Sequence, residues 1–261
     1  MIQKIWKVEE TPESRMFMKA SGCCRLEEHG YVEEEYFFRG TANIYGEDGR
    51  GKAEILYADA PYTNRFVVRR PKENPSGRVV IEILNSSSYM DIDRFWVLTY
   101  RKLLRDRDTY IGITSKPVTM KSLKKFDHKR YQPLCWKNPR PSLFFKMDLG
   151  NFRGASEPET EDGLFWDMLT ELAQKVREGA DFLSPLSKTA GELWRPERVY
   201  LAGWSQSGSY MVTYTNYFAK ARYERKEAPV FDGYFSAAPG PCVVPGLNQS
   251  EMADIYAGEA T

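Results

Sequence analysis

Histidine is nearly absent from this chain. Only His29 and His128 occur among 261 residues, and both precede the segment that draws most attention below. A hydroxyl or thiol at neutral pH needs a base to become nucleophilic, and histidine is the side chain best matched to that task, so the shortage limits the chemistry on offer. Cysteine is scarce too, with Cys23, Cys24, Cys135 and Cys242. The adjacent pair bridges only with strain, and no cysteine stands at metal-ligand spacing from either histidine. The expectation is reduced thiols in a cytoplasmic protein, with no metal and no cofactor. No run approaches the ~20 apolar residues of a membrane helix. Acidic residues, and not an apolar core with a small-residue cleavage site, follow Met1–Lys7, so the start does not read as a signal peptide. The glycosylation patterns at Asn85-Ser86-Ser87 and Asn248-Gln249-Ser250 carry little weight without one. Neither sign of charge dominates: 37 basic and 36 acidic residues leave a net charge of +1, no field to draw nucleic acid or an anionic membrane.

What is present is an ordinary globular composition, 42% apolar, long enough for one large α/β domain. Residues 1–34 are polar and mixed and read as a mostly irregular amino-terminal arm; residues 35–261 read as the domain proper. Tyr36–Tyr45 has the look of a strand, closed by a turn through Gly46, Gly49 and Gly51. Those glycines are turn residues, since no helix follows to make a phosphate cradle. Arg65–Arg70 is a further strand. Val79–Leu84, almost wholly apolar, predicts a strand buried on both faces. Asp93–Asp106 reads as a helix, Thr109–Thr114 as a strand, and the basic stretch Lys121–Arg130 as a solvated face. Trp136–Glu161 reads as a long loop over the upper surface, and Gly163–Phe182 has apolar residues at helical spacing. Strands at Arg198–Trp204 and Phe231–Ala238 follow. Strands alternating with helices from Val79 onward predict a parallel sheet covered on both faces.

The stretch Gly203-Trp204-Ser205-Gln206-Ser207 stands between a strand and the helix-like segment Ser207–Phe218. A strand turning sharply into a helix strains the residue at the tip. Strand and helix pass closely only if the residues two positions either side are small, as Gly203 and Ser207 are. Ser205 then projects from the sheet edge with a helix N-terminus behind it, which suits a serine that carries transient negative charge nearby. Ser205 is the candidate nucleophile. Acyl transfer also needs two N–H donors for the developing oxyanion, one from the residue after the nucleophile and one from the loop after an earlier strand. Gln206 and Ser86 fit those positions. For Asn85–Tyr89 the alternative is an Asn/Ser turn capping the helix that begins near Asp93. Trp204, Tyr89, Met90 and Tyr210 suggest an apolar, aromatic-lined cleft, with core packing the simpler role for each.

The base and acid are harder to find. On this architecture they follow the serine in the order carboxylate, then histidine. The downstream carboxylates are Glu224, Glu227, Asp232, Glu251, Asp254 and Glu259, and no histidine follows. Asp232 begins its strand, at the wrong end of the sheet, while Glu251 and Asp254 fall in a helical pattern. His29 and His128 sit in polar segments and read as surface residues. Only 21 residues follow Gly240, too few for two more helix-strand units of about half a βαβ motif's roughly 30 residues each.

Arg65–Pro71, Val80–Asn85, Tyr110–Thr114, Leu123–Asp127, Arg195–Val199 and Gly203–Ser207 together resemble the "alpha/beta hydrolase domain" proteins, poorly characterised relatives of serine esterases. The resemblance runs from about Tyr36 to Gly240, and Ser205-Gln206-Ser207 is its most specific element. It implies an α/β-hydrolase sheet, mostly parallel with helices on both faces. It also implies a serine nucleophile at Ser205, oxyanion donors at Gln206 and near Ser86, and a small ester-like substrate. Further strands bearing the acid and the histidine have no counterpart here, so the sheet is expected to lack its last strands and this chain alone to be inactive. Further residues or a second chain would complete it. The alternative is a non-catalytic binding module that kept the cleft and lost the machinery.

Overall fold

The central strand β4 (Arg78–Ile83) is buried along almost its whole length. Val79, Ile81 and Ile83 face one core cluster, while Val80 and Glu82 point to the other side. A strand of that kind must lie inside a sheet covered twice. Its two neighbours, β5 (Thr109–Ile113) and β7 (Arg198–Trp204), run parallel to it, and β8 (Gly233–Ala237) runs parallel to β7. The parallel part expected from Val79 onward is therefore present. Beyond β5 the sheet becomes antiparallel through β3 (Ala53–Pro71), β2 (Tyr31–Glu47) and β1 (Ile2–Lys7), with the short β6 (Cys135–Trp136) beside β3. The order β1-β2-β3-β5-β4-β7-β8 makes one mixed sheet. This computed structural model describes residues 1–141, 158–186, 192–239, 246–249 and 251.

Helices cover both faces. On one, α1 (Arg94–Asp106) packs Trp96, Leu103 and Leu104 against Val80, Tyr110 and Ala202. These three helix residues lie on one stripe of a 3.6-residue period. On the other, α4 (Phe165–Glu178) buries Phe165, Trp166, Met168, Leu169, Leu172, Ala173 and Val176, and α5 (Gln206–Tyr214) packs beside it. The short helices α2 (Val118–Phe126) and α3 (His128–Tyr131) carry the basic stretch. After α5 the chain makes a π-helical turn, Thr215–Ala219, before α6 (Lys220–Glu224), so the helix read over Ser207–Phe218 is α-helical to Tyr214 and π-helical beyond it. Among the described residues no helix is long and apolar enough to cross a membrane.

The amino-terminal segment departs from the irregular arm expected of it. Residues 2–7 form β1 on the edge of the sheet, and β2 already starts at Tyr31. The strand pattern is faint because only Ile2, Ile5 and Trp6 pack inward, among glutamine and lysine. The hairpin of β2 and β3 is also longer than the apolar runs suggest, since its distal half is partly exposed and polar residues alternate there. Asp48 closes its turn by accepting from the Arg50 and Lys52 N–H groups, with Gly49 and Gly51 at positive φ. Cys23, Cys24 and Cys135 are free thiols, and Cys242 lies outside the described residues. Of the long loop read over Trp136–Glu161, Lys137 and Thr160 form a β-bridge, and residues 142–157 lie outside the described residues.

Candidate active site

Ser205 joins β7 to α5 with φ 54° and ψ −122°. A non-glycine residue at positive φ stores strain, which surrounding contacts must outweigh. They are identifiable. The Ser205 N–H donates to Ala237 O on β8 at 2.9 Å, and Ser205 O accepts the Ser209 N–H at 3.0 Å. Ser207 Oγ lies 2.9 Å from both the N and the O of Trp204, so the second small residue braces the turn by hydrogen bonding as well as by its size. Gly203 has no substitute: a Cβ there would stand 2.4 Å from Ser207 O. Close passage of strand and helix is thus built into the local sequence.

The loop between β4 and α1 comes up against this turn. Ser86 Oγ donates to Gln206 Oε1 at 2.8 Å, so two of the residues read from the sequence are in direct contact. The neighbouring Asn85 was not among them, yet it pins the elbow from below. Its Nδ2 donates to Trp204 O at 2.8 Å while its Oδ1 accepts from the Ser87 N–H and Oγ. Ser115, at the end of β5, donates to Leu84 O at 2.6 Å. Ser205 itself is half-buried, and Ser86 and Gln206 are buried. Because α5 starts at Gln206, the N–H groups of its first turn have no acceptor within the helix, and the positive end of the helix dipole sits beside the serine.

A buried ion pair lies under the same helix. Lys116, in the loop after β5, stands 3.8 Å from Asp162 and 5.2 Å from the ring centroid of Tyr210 on α5. Burial raises the Asp162 carboxyl, against the pull of Lys116. Next to it, burial pushes Glu161 up to about 8 although its Oε1 accepts from the N–H groups of Gly163 and Gln249. Neither Lys116 nor Asp162 had a motif to mark it. Of the residues suggested for an aromatic cleft, Tyr210 is core, Trp204 is half-buried, and Tyr89 and Met90 are exposed on the Ser86 loop.

No acid or base assembles on Ser205 from the described residues. His29 and His128 are exposed, as expected for surface residues. Asp232 sits at the amino end of β8, where it accepts the Val199 N–H and pairs with Arg177 and Arg198. Although partial burial opposes its charge, that N–H and the two arginines hold its carboxyl below the usual range. Glu227 pairs with Arg222 and Arg225, Glu224 with Lys220, and Glu251 accepts from the N–H groups of Glu47 and Leu247. Asp254 and Glu259 lie outside the described residues.

A serine at positive φ between a parallel strand and a helix, beside a donor-bearing loop from the neighbouring strand, is the geometry of an α/β hydrolase. The chain belongs to the alpha/beta hydrolase domain family, which it matches over residues 6–258. No curated protein matches it. Among solved structures it is similar to esterase B of Lactobacillus rhamnosis, determined with a tributyrin phosphonate, at 14% identity and a TM-score of 0.32, covering 73% of this chain and 48% of that one. It is similar to brefeldin A esterase, a bacterial homologue of human hormone sensitive lipase, at 12% identity and a TM-score of 0.35, covering 84% of this chain and 50% of that one. A siderophore hydrolase of Aspergillus nidulans shows 17% identity and a TM-score of 0.35, over 94% of this chain and 66% of that one. The chain thus spans about half the length of the first two.

Proposed function

We propose that this protein is a serine hydrolase that cleaves an ester or related acyl bond through an acyl-enzyme on Ser205. The observation that carries the reading is the strained φ of 54° at Ser205, held by contacts to β8, to α5 and to Asn85. Strain kept in place on all sides at a strand-to-helix turn has a functional explanation and no evident packing one. In the reaction Ser205 Oγ adds to the acyl carbon and its proton passes to a base. The backbone N–H groups of Gln206 and Ser86 receive the oxyanion, and the proton then leaves with the alcohol as the C–O bond breaks. Water repeats the sequence to free the acid and restore Ser205.

The base and the carboxylate come from outside the described residues, from further residues of the protein or from a second chain completing the sheet beyond β8. The 261-residue chain by itself turns over ester at close to background, keeping only the contributions of oxyanion donors and binding. A second reading, a binding module without catalysis, is favoured by one fact: Glu224, Glu227, Asp232 and Glu251 all make their contacts away from Ser205. A fluorophosphonate probe separates the two readings. Applied to the full-length protein, it labels Ser205, and Ser205→Ala abolishes the label. Equal labelling of both proteins removes the nucleophile assignment, and absence of labelling in the unaltered protein leaves the binding module.

A further inference from the structure

The loop bearing Ser86 is held from behind by two buried arginines that serve no other part of the site. Arg65 and Arg69 lie four residues apart on β3, so they point to the same face of the sheet. Each makes the same three kinds of contact. Arg65 donates through Nη1 to Asp91 at 2.6 Å, through Nε to Glu35 at 2.5 Å, and through Nη2 to the carbonyl of Phe17 at 3.0 Å. Arg69 donates through Nη1 to Asp93 at 2.5 Å, through Nε to Glu33 at 2.8 Å, and through Nη2 to the carbonyl of Met18 at 3.0 Å. The first acceptor of each set belongs to the Ser86 loop, the second to β2, and the third to the amino-terminal segment.

Everything around the pair keeps these partners in register. Thr114 Oγ1 also donates to Asp91, at 2.6 Å. The guanidinium of Arg69 lies 4.5 Å from the ring centroid of Trp96 and 5.2 Å from that of Tyr110. Tyr131 Oη accepts the Phe17 N–H at 2.8 Å and donates to Glu35 at 3.0 Å, and Arg130 holds the Val8 and Glu9 carbonyls while pairing with Glu35. At the front of the loop, Asn85 and Ile92 exchange both backbone hydrogen bonds at 2.9 Å, which closes residues 86–91 into a ring. Asp91 and Asp93 therefore set where that ring sits. Only a planar guanidinium spans three acceptors in three directions; an ammonium is a point charge on a flexible stem.

We propose that Arg65 and Arg69 are positioning residues for the Ser86 loop, and that the amino-terminal segment 8–20 forms the third side of their clamp. On this account the segment is a working part of the oxyanion pocket and not an appendage. The inference rests on the reading of Ser86 as an oxyanion donor, while the clamp itself is open to test without any reaction.

The test uses the full-length protein with Asp93→Asn, which removes one charge at nearly constant shape, and Tyr131→Phe, which frees the Phe17 N–H and removes a donor to Glu35 while keeping both arginine side chains. Two quantities are measured: hydrogen exchange of peptides covering 84–93, with 79–83 and 199–204 as references, and the rate of fluorophosphonate labelling. Both variants are expected to raise exchange in 84–93 tenfold or more with the reference peptides unchanged, and to slow labelling about tenfold. Unchanged exchange in 84–93, or a uniform rise that includes the reference strands, overturns the clamp. Faster exchange in 84–93 with unaltered labelling overturns the link to the pocket. If the unaltered protein does not label at all, the nucleophile reading fails, and exchange still decides the clamp.

Discussion

The loop after β4 meets the elbow through Asn85 and Ser86 and is backed by Asp91, Asp93 and two fully buried arginines. β8 meets the same elbow through Ala237, but Tyr234 and Phe235 on it are 41% and 54% exposed, and among the described residues its sole sheet neighbour is β7. One side of the serine is a set of charges and hydrogen bonds that hold each other in place before any substrate arrives. The other, among the described residues, is a sheet edge with exposed aromatic side chains, the kind of surface on which another element pairs or packs. On the proposed reading, the contrast separates oxyanion placement from proton transfer: the first would rest on the packed loop, and the second on groups outside the described residues.

The largest expected effect is a pH dependence that belongs to the packed side. Glu82 lies under the start of α1, where its carboxyl accepts from the Phe95 and Trp96 N–H groups and from Tyr110 Oη. Burial nonetheless pushes it up to about 8, and Glu161 likewise to about 8. A carboxyl whose folded pKa exceeds its unfolded value binds protons more tightly when folded. The resulting stability is complete below the unfolded pKa and is lost as pH rises through 8. Between pH 6 and 9 each group is expected to cost roughly 2–3 kcal/mol. Thermal melts across that range should fall in midpoint, and Glu82→Gln should flatten the slope; identical slopes for both proteins would contradict the assignment.

A smaller effect is expected at the boundary between the two sides. Gly203→Ala puts a Cβ against the backbone of Ser207. Overpacking of this kind costs about 1–3 kcal/mol, and here the relief available is to move Ser205. Chemical denaturation of Gly203→Ala should give a lowered midpoint, accompanied by slowed labelling of Ser205. A variant as stable and as reactive as the parent would mean that strand and helix are not held by close contact. The smallest effect belongs to β8. Phe235→Ser removes an exposed ring that, among the described residues, stacks edge-on only with Phe95 at 5.4 Å, and should change stability by about 0.5 kcal/mol or less. A loss several times larger would show that β8 is packed as firmly as β4, and the contrast would collapse.

Much of the site was legible because its geometry is local. The small residues flanking Ser205, the apolar run before it and the carboxyl-end loop with Ser86 stand within short windows, where steric rules act on near neighbours. Asn85 was within reach of the same reasoning, as a side chain at the very end of a buried strand, but nothing in its spacing tells a pin from a turn residue. Lys116 and Asp162 had no such cue. A lone lysine before a proline and an acid before a glycine look like surface residues until the tertiary structure buries them against each other. β1 escaped for a related reason: an edge strand needs few apolar residues, and its pairing partner lies about thirty residues or more away.

The sequence by itself determined the serine elbow, the alternation of strands and helices from Val79 onward, and the shortage of a base, because each depends on residue identity within a few positions. Tertiary structure decided which charges are buried together. Arg65 and Asp91 are 26 residues apart and Arg69 and Asp93 are 24 apart, and they meet because β3 and the loop after β4 converge on one face of the sheet. Periodicity reports on which side of an element is apolar, but it carries no record of which distant carboxylate an arginine will find. That pairing is set by the topology of the sheet, and the low-dielectric interior then makes it binding, since an unpartnered charge there costs far more than an exposed one.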